Sequence, residues 1–92
     1  MIRSFRDKGL SLFASTGNAK KLSIENTGRI TRLLAQLNAA TKPEDMNLPG
    51  NRFHELGGDR RGTYAVNASG NYRLTFGWDG QHAVDVDLED YH

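Results

Sequence analysis

Two histidines, an arginine and a short acidic and aromatic run supply the reactive groups of this sequence: His54, Arg73, Asp90, Tyr91 and His92. Imidazole titrates at about 6.5, so a useful fraction of each protonation state exists near neutrality and the ring can act as base or acid. Two imidazoles beside a guanidinium suit RNA cleavage by internal attack. A base takes the proton from a ribose 2′-hydroxyl, an acid protonates the departing 5′-oxygen, and a cation offsets the charge growing on the phosphoryl oxygens. Arg73 has the fork geometry for the last role. His92 is expected among Glu89, Asp90 and a terminal carboxylate, where negative charge favours imidazolium and suits it to be the acid.

Each group also has a plainer reading. His54 suits a structural position in a strand, Arg73 a surface ion pair with Asp85 or Asp87 across a hairpin, and Tyr91 a ring closing the sheet. His82, just after a turn, receives no role. A rival chemistry uses Asp85, Asp87, Glu89 and Asp90 as hard oxygen ligands for a divalent ion, with Asp85 and Asp87 on one strand face. Their spacing matches neither a calcium loop nor a zinc helix motif. The acid-base scheme requires no metal and no cofactor.

The elements that must position these groups are legible in the hydrophobic pattern. Tyr72, Leu74, Phe76 and Trp78 alternate with Arg73, Thr75 and Gly77, the period of a strand with one buried face, so Arg73 points away from the core. Asp79-Gly80 predicts a tight hairpin turn, with a return strand from His82 to Asp87 that carries Asp90, Tyr91 and His92 to the sheet edge. Upstream, Arg52 to Leu56 predicts a short strand and Thr63 to Ala68 another, with a turn at Ser69-Gly70. Ile30, Leu33, Leu34 and Leu37 fall on one helical face, in a helix that starts near Ser23 or Asn26 and ends by Lys42-Pro43. Thr41 to Met46 predicts one further turn, and Pro49-Gly50 a break. Asp7 caps a shorter helix through Leu10, Leu12, Phe13 and Ala14, ending at Gly17. Met1 to Phe5 predicts an edge strand, and Asn18-Ala19-Lys20-Lys21 a mobile, solvated basic connector. The order predicts a single α+β domain over residues 1–92: a small, twisted, mainly antiparallel sheet with both helices on one face and Arg73 on the other.

Composition narrows the classes. There is no cysteine, hence neither a disulfide framework nor a thiolate metal site. The first residues lack the apolar run of a signal peptide, and no later run has the length of a membrane span, so a cytoplasmic protein without membrane contact is expected. The net charge of +1 hides a split. Through Arg61 there are eleven Lys and Arg against six Asp and Glu; beyond it, one against five. A basic front with an acidic C-terminal strand suits a phosphate-binding surface beside functional carboxylates.

The chain resembles the HigB-like killer-protein branch of the RelE/ParE toxin superfamily along essentially its whole length. The resemblance rests on Met1-Ile2-Arg3-Ser4-Phe5 with Lys8-Gly9-Leu10, on Ala39-Ala40-Thr41 with Glu44-Asp45-Met46-Asn47-Leu48-Pro49-Gly50, and on Phe53-His54-Glu55-Leu56. It continues through Gly58-Asp59-Arg60-Arg61-Gly62, Ser69-Gly70-Asn71-Tyr72-Arg73-Leu74-Thr75-Phe76, and Asp85-Val86-Asp87 leading to Glu89-Asp90-Tyr91-His92. It implies a RelE-like fold and an mRNA interferase that enters the ribosomal A site, cleaves the message and is silenced by a helix-turn-helix antitoxin. Carried to matching positions, His54, Arg73, Asp90, Tyr91 and His92 take the catalytic and phosphate-handling roles; whether His54 or Asp90 is the base stays open. Lys20, Lys21, Arg29, Arg32, Arg60 and Arg61 are expected to meet ribosomal RNA, including 16S rRNA.

Relatives commonly carry lysine where this chain has Gly57, so one cation near the phosphate is missing, with Arg60 or Arg61 placed to compensate. Two other readings accompany the resemblance: a non-enzymatic gyrase poison of the same fold, and a weakened toxin acting mainly as an antitoxin-binding co-repressor.

Overall fold

Asp7 accepts a hydrogen bond from the Leu10 backbone amide at 2.7 Å and so starts the first helix, α1 (Lys8–Thr16), which ends at Gly17 as the pattern predicts. The computed structural model describes residues 1–90. The second helix, α2 (Thr27–Ala39), is capped by the Asn26 side chain. It buries Ile30, Leu33, Leu34 and Leu37, the four residues of the predicted face. It stops at Ala39 rather than at the proline, because Ala40 is already extended and Lys42 must be extended to precede Pro43. The predicted further turn is present as a short 3₁₀ turn, Pro43–Met46, whose Met46 is fully buried.

Between the helices the chain is organised rather than merely solvated. Asn18 Oδ1 accepts from the Lys20 amide, Leu22 is half-buried and Ile24 buried. A Cβ at position 9 would lie 2.0 Å from the Lys21 carbonyl oxygen, so Gly9 lets this connector lie against α1.

Four antiparallel strands follow: β1 (His54–Glu55), β2 (Thr63–Ser69), β3 (Tyr72–Asp79) and β4 (His82–Asp90), hydrogen-bonded in that order. The Met1 to Phe5 segment lies beside β4 in parallel, through bridges at Ile2–Ala83 and Phe5–Val86. Its ladder is interrupted where β4 bulges. Asp85 and Val86 together oppose Phe76, Asp85 adopts a left-handed φ of 53°, and the Ser4 hydroxyl takes the displaced Asp85 amide at 2.8 Å. The bulge turns Asp85 out toward Arg6 and restores Val86 and Leu88 to the core. The expectation that Asp85 and Asp87 share a face therefore fails. Asp87 stays opposite Thr75, and among the described residues no group of three His, Cys, Asp or Glu could hold a metal ion.

Two local expectations shift. Asp79 pairs with His82, so the hairpin loop is Gly80-Gln81, and Gly80 supplies the positive φ, 64°, needed at its first position. The strand expected over Arg52 to Leu56 shrinks to two residues, because Arg52 itself is left-handed at φ 51° and cannot continue a ladder.

The core fills the helix side of the sheet. Val66, Leu74, Phe76, Val86 and Leu88 meet Leu10, Ile30, Leu33 and Leu37. Phe76 is fully buried, with Tyr64 stacked at 5.8 Å on one side and Trp78 edge-on at 6.3 Å on the other. Burying such a side chain contributes roughly 2–3 kcal/mol. Alternation then sends Asn67, Arg73, Thr75, Asp87 and Glu89 to the opposite face, as read for Arg73 from the sequence. No helix among the described residues is long and apolar enough to cross a membrane.

Candidate active site

Register places the candidate groups. His54 pairs with Ala65, Ala65 with Thr75 and Thr75 with Asp87, forming one row across the sheet. In the adjacent row Asn67 pairs with Arg73 and Arg73 with Glu89. A cleft of about 330 Å³ is lined by Arg52, His54, Val66, Asn67 and Arg73. A larger groove of about 500 Å³ lies in the helical layer among residues such as Phe5, Phe13 and Leu34, but nothing lining it can move a proton near neutrality.

His54 is oriented by its neighbour. Its Nδ1 lies 3.0 Å from the Arg52 carbonyl oxygen, and a carbonyl can only accept, so Nδ1 carries the hydrogen. In the neutral ring the lone pair is then on Nε2. The turn beneath is fixed by Asn51, which is buried and donates from Nδ2 to the Met46 carbonyl at 2.9 Å while its own carbonyl accepts from the Asn67 amide at 2.7 Å.

Glu89, expected from the sequence as negative charge near His92 or as one oxygen ligand of a divalent ion, is instead the hub of an ion-pair network on the sheet face that carries Arg73. Arg60 donates to both its oxygens, Nη1 to Oε1 at 2.8 Å and Nη2 to Oε2 at 2.6 Å, and the Thr75 hydroxyl donates to Oε2 at 2.6 Å. Arg73 Nη2 lies 3.6 Å from Oε1. The grip of Arg60, reinforced by Thr75 and Arg73, pulls the Glu89 carboxyl down to about 2 despite its burial. The carboxylate that Arg73 meets is thus Glu89, rather than Asp85 or Asp87. The only advance signal was that positions 73 and 89 are directly opposite if the hairpin register is right.

Arg60 is therefore held against the sheet rather than extended from its loop. Arg29 is held too, its Nη2 donating to Asn67 O at 2.8 Å, Asn51 Oδ1 at 3.2 Å and Gly50 O at 3.3 Å, which ties α2 to the cleft turn. Lys20, Lys21, Arg32 and Arg61 are exposed, and none of them lines the cleft. Asp90 ends β4 opposite Tyr72, and its alternation with Glu89 assigns it to the helix side, a register step from Arg73. The structure thus brings His54 and Arg73 to one cleft, while Asp90, at the end of β4, falls on the other side of the pleat. Tyr91 and His92, expected as site residues, lie outside the described residues.

A family model described as the RelE-like toxin of type II toxin-antitoxin system HigB matches residues 3–92. The chain belongs to the HigB-like toxin family. This membership agrees with the resemblance read from the motifs and with the α+β fold. Among HigB-like relatives, a Proteus vulgaris protein named endoribonuclease HigB is 33% identical over 92 residues, covering 100% of both chains. Toxin HigB-1 of Vibrio cholerae serotype O1 is 34% identical over 93 residues, covering 97% of this chain and 96% of the relative. As the toxin of a type II system, a HigB-like protein has an antitoxin as its partner.

Proposed function

We propose that this HigB-like toxin is an mRNA endoribonuclease that cuts messages on the ribosome by acid-base chemistry through the ribose 2′-hydroxyl. The observation that carries the reading is the His54 ring, fixed through Nδ1 on the Arg52 carbonyl beside the cleft that Arg73 also lines. His54 Nε2 takes the proton of the 2′-hydroxyl, whose oxygen attacks phosphorus. Arg73 stabilises the charge on the non-bridging oxygens. The bond from phosphorus to the 5′-oxygen breaks, and His92 supplies the proton to that oxygen, leaving a 2′,3′-cyclic phosphate and a 5′-hydroxyl. Of the two candidate bases, the geometry favours His54, because Asp90 falls on the other side of the pleat. Asp90 and Tyr91 serve the substrate and the C-terminal histidine rather than the first proton transfer. The name of the Proteus vulgaris relative supports the same reaction class.

Lys20, Lys21, Arg32 and Arg61 supply sequence-independent attraction to ribosomal RNA, while Arg29 and Arg60 hold the scaffold. The antitoxin carries a helix-turn-helix domain, and the protein works in the cytoplasm. The test is cleavage of a translated message on purified ribosomes, comparing wild type with His54→Ala and His92→Ala. Loss of a general base or acid costs roughly 10²- to 10⁴-fold in rate. Well-folded wild-type protein that cuts nothing would refute the reading and direct attention to gyrase inhibition and operator repression.

A further inference from the structure

Arg52 has a conformation that its residue type does not favour. Its φ of 51° is left-handed, where an L side chain crowds its own backbone and glycine or asparagine is the usual occupant. The neighbours impose it. Asn51 is pinned on one side by the Met46 carbonyl, the Leu48 carbonyl, the Asn67 amide and Arg29. On the other side the Arg52 carbonyl receives Nδ1 of His54. An arginine in so strained a conformation points to a use for its side chain.

That side chain lines the cleft together with His54, Asn67 and Arg73. The lining contains two guanidinium groups, one imidazole and one amide, and no carboxylate. Among the described residues the acidic partners within ion-pair distance belong to Arg3, Arg6, Arg60 and Arg73, and none belongs to Arg52. Glu89 partly compensates the charge of Arg73, whereas Arg52 brings a cation to the cleft without such compensation. Gly57, by contrast, brings no side chain, and Arg60 is gripped by Glu89.

Building on the endoribonuclease reading, we infer that Arg52 binds a backbone phosphodiester of the RNA strand in the cleft, so that one residue both holds the RNA with its side chain and sets the His54 tautomer with its carbonyl. A fork of N–H donors on phosphate forms charge-assisted hydrogen bonds, and the site excludes anionic competition within its own lining.

The experiment compares Arg52→Ala, Arg52→Gly and Arg52→Lys with wild type, His54→Ala and Arg3→Ala in ribosome-bound message cleavage, at several salt concentrations, with thermal unfolding of each protein. Arg3 sits at the far end of the hairpin against Asp79 and serves as the control. Arg52→Ala and Arg52→Gly should both raise KM about tenfold or more, the loss expected for one charge-assisted contact. Both should flatten the salt dependence of kcat/KM by about 0.7 in log-log slope. Arg52→Lys should keep most of the affinity and the slope, and Arg3→Ala should match wild type. The glycine variant removes the backbone penalty while deleting the cation, so wild-type behaviour of Arg52→Gly beside an impaired Arg52→Ala would overturn the inference. So would wild-type KM and salt slope in Arg52→Ala while His54→Ala is inactive, a result that leaves the endoribonuclease reading standing. Absence of cutting by wild type would remove that reading and this inference with it.

Discussion

Glu89 and Arg60 form a two-point ion pair, Oε1 to Nη1 at 2.8 Å and Oε2 to Nη2 at 2.6 Å, that ties β4 to the Gly58–Arg60 turn. The Glu89 side chain is only 20% exposed and also meets Thr75 and Arg73. Removing its charge strands one arginine and part of another. We expect Glu89→Gln to cost on the order of 2–3 kcal/mol and to lower Tm by ten degrees or more for a domain of this size, measured by thermal unfolding at neutral pH.

The same carboxylate gives the fold an acid dependence whose sign is fixed. Glu89 titrates at about 2 in the folded protein, against an ordinary 4.5. A depressed carboxyl contributes stability that is present above the unfolded value and lost as pH falls through the folded one. Unfolding free energy should therefore fall between about pH 4.5 and pH 2, by on the order of a few kcal/mol from this group. Denaturant unfolding of wild type and Glu89→Gln across that window should show their difference shrinking as pH drops.

Arg29 and Arg32 lie three residues apart on α2 but differ in consequence. Arg29→Ala removes three hydrogen bonds, two of them part-buried, and should cost about 2 kcal/mol. Arg32→Ala, at an exposed site, should stay within about 0.5 kcal/mol of wild type while weakening ribosome association. Unfolding and ribosome co-sedimentation of the two variants separate these roles.

Position 57, where the resemblance leads one to expect lysine, has room for that side chain. Gly57 has an extended backbone, φ −94° and ψ −177°, and a Cβ there meets nothing within 4 Å. Gly57→Lys should leave Tm unchanged and raise cleavage on ribosomes severalfold, with a salt slope steeper by about 0.7. An unchanged rate would mean that existing cations already fill the phosphate contact.

The parts of this fold that depend on local rules were legible in the sequence. The four-residue apolar face of α2, the Asp7 cap and the alternation that sends Arg73 away from the core all follow from periodicity and capping chemistry. What was not legible depends on contacts between distant segments. The bulge at Asp85 is stabilised by Ser4, eighty-one positions away, and no local pattern announces it. Arg60 and Glu89 are twenty-nine positions apart, so their pairing emerges only once the sheet register is set. Arg52 was missed because arginine gives no signal for a left-handed backbone; the buried Asn51 network imposes it. Of the candidate site, the meeting of His54 with Arg73 was readable from strand order, and the Nδ1 contact that selects Nε2 was not.

The central claim is that His54 starts an internal transesterification, and the ends of the RNA fragments test it most directly. Fragments from ribosome-bound message should carry 5′-hydroxyl and 2′,3′-cyclic phosphate ends, and their yield should fall roughly 10²-fold or more in folded His54→Ala. Fragments with 5′-phosphate ends, or cleavage by His54→Ala at the wild-type rate, would contradict it.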